Sequence, residues 1–517
     1  MNKIFYIILI SLFSLTIISC SSKDDNEKFN EPVRKGGDTV NDVLDPVGDG
    51  INDVLDPVGD TVNDGLDSVG DGVGTITGGT GGTGGGSSTT TDNTTTTDST
   101  TNLTWTKQLG SSLQMGLGSY ETGYDSGFGV TTDSLGNIYV TGSTYGHLDG
   151  NTNSGGSDIF LVKYNSSGTK QWTKQLGTSS YDDGKGVTTD SSDNIYVTGV
   201  TNGRLDGNKS SGSADIILVK YNSSGTKQWT KQLGTSSYDD GKGVTTDSSG
   251  NIYVTGQTSG GLDGNKSSGS ADIILVKYNS SGTKQWTKQL GTSSYDIGNG
   301  VTTDSSGNIY VTGQTSGGLD GNTNFGSALG TADIFLVKYN SSGTKQWTKQ
   351  LGTSSSDWGT DVTTDSSDNI YATGVIEGGL DGNKSSGKYD VFLVKYNSSG
   401  TKQWTKQLGT SKNEQGLGVT SDSSGSIYVT GVTNGGLDGN KNSGQSDIFL
   451  VKYNSSGTKQ WTKQLGTSSY DDGKGVTTDS SGNIYVTGET EGDLDGNTSS
   501  GGSDIVLVKY NSTDTKQ

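Results

Sequence analysis

The sequence predicts an all-β fold: a seven-bladed β-propeller of four-stranded antiparallel blades, behind an acidic tether. Three observations carry this. The string WTKQLG occurs seven times in 517 residues, at Trp105, Trp172, Trp229, Trp286, Trp347, Trp404 and Trp461, with spacings of 67, 57, 57, 61, 57 and 57 residues. A fixed period of that length marks a repeat architecture in which each unit buries its apolar surface only against its neighbours. Each unit also reads as four short strands, and the two ends of the array are complementary.

The chain opens with MNKIFYIILISLFSLTIISC: Lys3, then an apolar run from Ile4 to Ile18. That run is short for a membrane span and has the form of a secretory signal over residues 1–19. Ile17-Ile18-Ser19-Cys20 resembles the bacterial lipobox, which implies cleavage before Cys20 and lipidation of its thiol. Ser21-Ser22-Lys23-Asp24-Asp25 is similar to the signal that places some lipoproteins on the outer face of the outer membrane. The resemblance therefore implies a membrane-anchored, cell-surface protein of a bacterial envelope.

Residues 20–102 have another texture. An 11-residue unit repeats as GDTVNDVLDPV, GDGINDVLDPV and GDTVNDGLDSV. Val40, Val43, Leu44 and Val47 fall at amphipathic-helix spacing, but Pro46, Pro57 and the leading glycines break continuity. From Gly74 to Asn102 the chain is almost wholly Gly, Thr, Ser, Asp and Asn, a flexible linker. The segment reads as a spacer.

The fourth unit shows how the repeats, residues 103–517, are built. Gly300 to Asp304 is a first strand of small residues. Asp304-Ser305-Ser306-Gly307 is a tight turn, Asp accepting a backbone N–H and Gly taking positive φ. Asn308 to Thr312 is the second strand, Asp333 to Tyr339 the third, and Lys345 to Leu351 the fourth. The third is apolar at nearly every position, so both its faces must be covered. The fourth alternates, with Trp347 and Leu351 on one face. Sheets packed on both sides, tapering from small inner strands, are propeller blades. The first copy holds only a fourth strand, from Leu103, and the last stops where the others continue into Trp. The N-terminal strand is expected to complete the last blade and latch the ring.

VTTDSSGNIYVTG followed by DIFLVKYNSSGTKQW resembles the SBBP repeat of exported bacterial proteins. That resemblance covers all seven copies and implies a seven-bladed propeller without implying an activity. The Trp after each NSSG turn is similar to the tryptophan-docking motif of other propellers, which implies a structural girdle of the seven indoles between blades.

Composition narrows the function. A formal charge of −20 and pI near 4.4 exclude nucleic-acid binding through clustered Lys/Arg. A cationic partner suits that field. With one cysteine and one histidine, Cys20 and His147, zinc clusters and Cys–His or Ser–His nucleophile systems centred in the repeats are excluded. With only Arg34 and Arg204, the arginine clusters of sialidase-type propellers are absent too. No enzyme is expected. Near-identical blades offer little asymmetry, which is visible only in the insertion between Leu109 and Val130, the extra residues from Phe325 to Thr331, and Trp358.

Binding belongs on the face holding the long fourth-to-first and second-to-third loops. Two patterns recur there. The D-x-N-x-[SN] string, as Asp263-Gly264-Asn265-Lys266-Ser267, recurs from Asp149, Asp206, Asp320, Asp381, Asp438 and Asp495. Alternating oxygens suit Ca²⁺, but glycine stands one place late and no bidentate Glu follows, so Asx-turn capping accounts for it better. No cofactor is expected, and calcium is the alternative left open. The second pattern is Tyr181-Asp182-Asp183, Tyr238-Asp239-Asp240 and Tyr470-Asp471-Asp472, with Tyr295-Asp296 and Trp358 as variants. A ring beside carboxylates can grip a sugar or a cationic peptide; the same residues can equally pack and solvate the loop. The expectation is a monomeric surface lipoprotein whose propeller binds protein or glycan, the alternative being a structural or assembly scaffold of the outer membrane.

Overall fold

The computed structural model describes residues 103–111, 123–326 and 330–511. Cys20 and the tether lie outside the described residues, as do 112–122 of the first insertion and 327–329 of the second. The described residues form seven four-stranded antiparallel sheets. In the first blade the inner strand is Asp125–Thr132, the second Ile138–Thr144, the third Asp158–Tyr164 and the outer Lys170–Leu176. The pattern repeats through the blade that starts at Asp471–Thr478, whose outer strand is Leu103–Leu109 from the other end of the array.

The latch uses the contacts of an ordinary outer strand. Leu109 pairs with Ile505 and Trp105 with Lys509, antiparallel. Gln108 Nε2 donates to Asp504 Oδ2 at 2.8 Å and to the Gly492 carbonyl at 3.0 Å, as Gln175 does to Asp158 and Gly146 at 3.0 Å each. The predicted third and fourth strands of the fourth blade match the structure, Asp333–Tyr339 and Lys345–Leu351. The inner strand starts earlier than predicted, at Asp296, and the second runs on to Thr315. Polar and glycine residues read as loop there, yet Asp296 pairs with Thr315 and Ile297 with Gln314. A bulge between Gly298 and Gly300 separates this extension from the rest of the strand.

The apolar cores lie between blades. Ile159 and Leu161 point toward the second blade, where they meet Ile195, Val197 and Ile217; Phe160, Val162 and Tyr164 point back to Tyr485, Ile505 and Leu507 of the seventh. Alternation along one strand, buried everywhere but at Lys163, thus feeds two cores. Trp172 closes the outer end of the first interface, its ring 6.0 Å from that of Tyr139. A Cβ on Gly225, in the Asn222–Gly225 turn of the next blade, would stand 2.9 Å from the indole, so that turn can approach only as glycine. Trp105, Trp229, Trp286, Trp347 and Trp404 rest on equivalent glycines. The counterpart for Trp461 is Asp514, outside the described residues.

Around the axis the blades touch through backbone. Thr132, Thr189, Thr246, Thr303, Thr364, Ser421 and Thr478 each donate a hydroxyl to the carbonyl of the preceding blade's counterpart, at 2.8 to 3.2 Å, a closed circle. Above it, Gly243 approaches the next inner strand so closely that a Cβ would stand 2.9 Å from the Asn299 carbonyl. Asp361 of the fifth blade occupies the place that is Gly243 or Gly300 in its predecessors. Its carboxylate accepts the Val362 N–H at 2.8 Å and the Val419 N–H of the next blade at 2.9 Å. Burial between the two strands pushes its carboxyl up to about 7.

Two outcomes follow from this arrangement. Deleting residues 101–110 removes Trp105 and Leu109 from an inter-blade core and bares the Asp504–Tyr510 edge. The stability of the protein lacking 101–110 should fall by about 5 kcal/mol, with a lower melting temperature and aggregation, whereas deletion of 21–100 should do neither. Equal melting of the two deletions would refute the latch. For Asp361, a folded pKa raised from 3.8 to about 7 means that the folded state holds the proton more tightly. Its contribution to stability is therefore full below pH 4 and is lost as pH rises toward 7. The melting temperature of Asp361→Gly minus that of the parent should grow from pH 4 to pH 8. A difference that stays flat would show that this carboxyl titrates normally.

Candidate functional site

On the long-loop face, the first aspartate of each Tyr-Asp-Asp cluster is fully buried. Asp182 Oδ2 accepts the Thr178 N–H at 2.6 Å and its hydroxyl at 2.8 Å, while Oδ1 accepts the Thr201 hydroxyl. Asp239, Asp296 and Asp471 hold Thr235, Thr292 and Thr467 in the same way. Burial raises all four carboxyls above the usual carboxylate range. Each ties the fourth-to-first loop to the start of the inner strand, so its oxygens are spent inside the loop.

The second aspartates face side chains of their own. Asp183 Oδ1 accepts the Ser157 hydroxyl at 2.9 Å, and its other oxygen lies 3.5 Å from Lys185 Nζ. Asp240 pairs with Lys242 at 2.9 Å. Asp472 accepts the Ser446 hydroxyl at 3.1 Å, and burial, then the Glu489 charge, push its carboxyl up to about 6. Trp358 is buried, its ring 5.9 Å from that of Tyr389. Of the predicted contact residues, the tyrosines therefore reach solvent best: Tyr181 is 55% exposed and Tyr238 40%, with Tyr295 and Tyr470 half-buried. The structure keeps these four in separate blades.

The D-x-N-x-[SN] string starts in a single 3₁₀ turn, Leu262–Gly264 in the third blade. Asp263 sits at φ 52°, in the left-handed region that Asp tolerates better than most residues. Its Oδ1 accepts from Lys284 and its Oδ2 from the Thr287 hydroxyl on the outer strand. Asp149, Asp206, Asp320 and Asp438 are held identically, and Asp381 pairs with Lys402 at 2.5 Å and Thr405 at 2.6 Å. Asn265 Nδ2 closes the turn on the Leu262 carbonyl at 2.7 Å. These oxygens pin the second-to-third loop to the outer strand, and among the described residues no three His, Cys, Asp or Glu side chains converge as a metal site.

Two features escaped the sequence reading. Tyr145 stands between Tyr124 and Tyr181, its ring 6.4 Å from each. At the axis, the extra residue in each inner-strand bulge varies: Phe128, Lys185, Lys242, Asn299, Thr360, Leu417 and Lys474. Asn299 and Thr360 spend their side chains on carbonyls of the next blade, Gly359 and Gly416, at 2.8 Å each. Lys185 and Lys474 instead bring their ammonium groups to 4.2 and 4.4 Å from the Phe128 ring centre. Lys474 also reaches Glu489 at 3.2 Å and the Ser126 hydroxyl at 2.8 Å. The signal was present as variation at one position of otherwise matching repeats.

The chain is 25% identical over 392 residues to an uncharacterised WD repeat-containing protein of Acanthamoeba polyphaga mimivirus, which covers 59% of this chain and 28% of that protein. It is 30% identical over 142 residues to the regulatory protein FlaEY of Caulobacter vibrioides, covering 25% of this chain and 15% of that one. It thus spans well under a third of either relative. Among solved structures, the polysaccharide lyase Uly1 superposes with a TM-score of 0.45 at 12% identity, over 79% of this chain and 99% of that one. The SBBP β-propeller repeat itself matches residues 104–149, 171–206, 228–263, 285–320, 346–381, 403–438 and 460–495, one match in each of the seven copies. Seven matched repeats closing seven four-stranded blades make this chain a member of the SBBP β-propeller repeat family.

Proposed function

We propose that this protein is a lipid-anchored envelope protein, exposed at the bacterial cell surface, whose propeller is a non-enzymatic binding module for protein or glycan. One observation carries the binding reading. On the long-loop face the aspartates of the repeated clusters are consumed in holding the loops, while Tyr181 and Tyr238 stay exposed on a rigid ring. Exposed rings on loops held that firmly lose little conformational entropy on contact with a ligand. Recurrence in several blades supports weak, multivalent contact. The anchor reading rests on Ile17-Ile18-Ser19-Cys20, with the 11-residue repeats and the Gly/Thr/Ser segment as the spacer.

Anchoring is tested by metabolic labelling with a palmitate analogue. Cys20→Ser should carry no label and leave the membrane fraction, since only a thiol at that position can take the diacylglyceryl group. Label on the mutant equal to the parent would remove the claim. Protease shaving of whole cells should release the propeller if it faces outward.

The binding reading is tested with the purified protein on a glycan array and in pull-downs from envelope extracts. For whichever surface retains it, Tyr238→Ser alone should change retention less than about threefold. Changing Tyr181, Tyr238, Tyr295 and Tyr470 together should lower it at least about 100-fold, because linked sites buffer single losses. A decisive effect of one loop with the rest silent would favour a single asymmetric dock, as expected of an assembly scaffold.

A further inference from the structure

Of the six large hydrophobic side chains exposed among the described residues, three form one row, Tyr124 beside Tyr145 and Tyr145 beside Tyr181, at 38%, 45% and 55%. They come from three separate loops. Tyr124 precedes the inner strand of the first blade, Tyr145 follows its second strand, and Tyr181 precedes the inner strand of the second blade. The Tyr145 N–H donates to the Tyr124 carbonyl at 3.1 Å, fixing that pair through backbone. Tyr181 lies on the backbone of Gly156, where a Cβ would stand 2.8 Å from its ring, and the Gly156 N–H holds the Ser180 carbonyl at 2.9 Å.

Tyr145 makes this cluster unlike the other blades. Its counterparts are Asn202, Ser259, Ser316, Glu377, Asn434 and Glu491. The same backbone bond recurs in five of the six, as from Asn202 to Tyr181 at 3.0 Å and Ser259 to Tyr238 at 2.9 Å, while the Glu377 N–H donates to Asp357 Oδ1 at 2.9 Å. The fold therefore needs the N–H at this position and makes no demand for a ring. An exposed contiguous aromatic surface, at a position where the other blades carry Asn, Ser or Glu, marks an interaction site.

The surroundings select the partner. The rings stand at 84° and 62° to their neighbours, so they form facets in place of the flat platform on which a sugar chain stacks. Facets suit planar guanidinium groups arriving from different directions. Elsewhere this chain pairs its own rings with cations, Lys163 over Tyr139 at 5.1 Å and Lys388 over Tyr389 at 4.6 Å. The repeats themselves, residues 103–517, carry 40 Asp and Glu against 31 Lys and Arg, an acidic balance that draws cationic partners and repels anionic ones. The adjoining loops are rich in Ser, Gly and Asn, which supply adaptable hydrogen bonds around rigid aromatic anchors.

We propose that Tyr124, Tyr145 and Tyr181, brought together where the first blade meets the second, dock an arginine-rich segment of a partner protein. The proposal rests on the long-loop face being the binding face; it does not require the repeated sites to act together.

Titration of the full-length protein with an octa-arginine peptide, an octa-lysine peptide and a neutral β-glucan oligosaccharide, at about 0.15 M salt to screen diffuse attraction, tests it. Octa-arginine should bind more tightly than octa-lysine. Tyr145→Ser, which borrows the residue of the third and fourth blades and leaves net charge unchanged, should weaken octa-arginine about tenfold and octa-lysine little. Tyr145→Phe should retain binding, separating loss of the ring from loss of the fold. A variant with Tyr238, Tyr295 and Tyr470 all changed to Ser should bind octa-arginine like the parent. Unchanged affinity in Tyr145→Ser would overturn the proposal, as would displacement of octa-arginine by the glucan, which would assign the triad to sugar. Loss confined to the Tyr238, Tyr295 and Tyr470 variant would also overturn it while leaving the repeated-loop reading intact.

Discussion

No blade of this protein has a core of its own. Ile138, Val140, Phe160 and Val162 become buried only when the seventh blade supplies Tyr485, Ile505 and Leu507. The same dependence runs around all seven interfaces, so stability requires a closed circle: an open array would leave one blade with a bare apolar face at each end. Closure falls to Leu103–Leu109, which carries Trp105 and Leu109 into the interface between the seventh and first blades. The strand that bears most on closure is thus the one farthest in sequence from its partner.

Closing a ring also crowds its centre. The inner strands meet through Thr hydroxyls on carbonyls and through glycines with no room for a side chain. Toward the rim the spacing widens, and there Tyr, Trp and Lys fill each wedge: Lys163 lies over Tyr139 and donates to the Ser223 carbonyl of the next blade at 3.1 Å. Small residues inside and large ones outside follow from the geometry of a wedge. Where one blade departs from this rule, as at Asp361, the departure comes with compensating backbone hydrogen bonds.

The same economy governs the loops. Most of their charged residues turn inward or sideways: Asp182 onto Thr178, Asp263 onto Lys284 and Thr287, Asp183 onto Ser157 and Lys185. Acidic loops that look ligand-ready in sequence prove to be largely self-satisfied. A fixed loop is still useful for recognition, because rings such as Tyr181 are then presented without a further ordering cost.

Strand number, blade number and the latch were legible in the sequence because each depends on local periodicity repeated seven times: DIFLVKY demands cover on both faces wherever it occurs, and the two ends of the array complement each other. The roles of individual carboxylates were not legible. Whether Asp182 faces solvent or the Thr178 amide depends on how the loop folds back on the inner strand, and Tyr-Asp-Asp reads the same in both cases. Nor could the sequence show that Tyr124, Tyr145 and Tyr181 meet, since they lie on three loops of two blades. Repetition determines what each blade must be. Only the closed ring decides which side chains from different blades share a surface, because those distances are set by packing across interfaces that no single repeat contains.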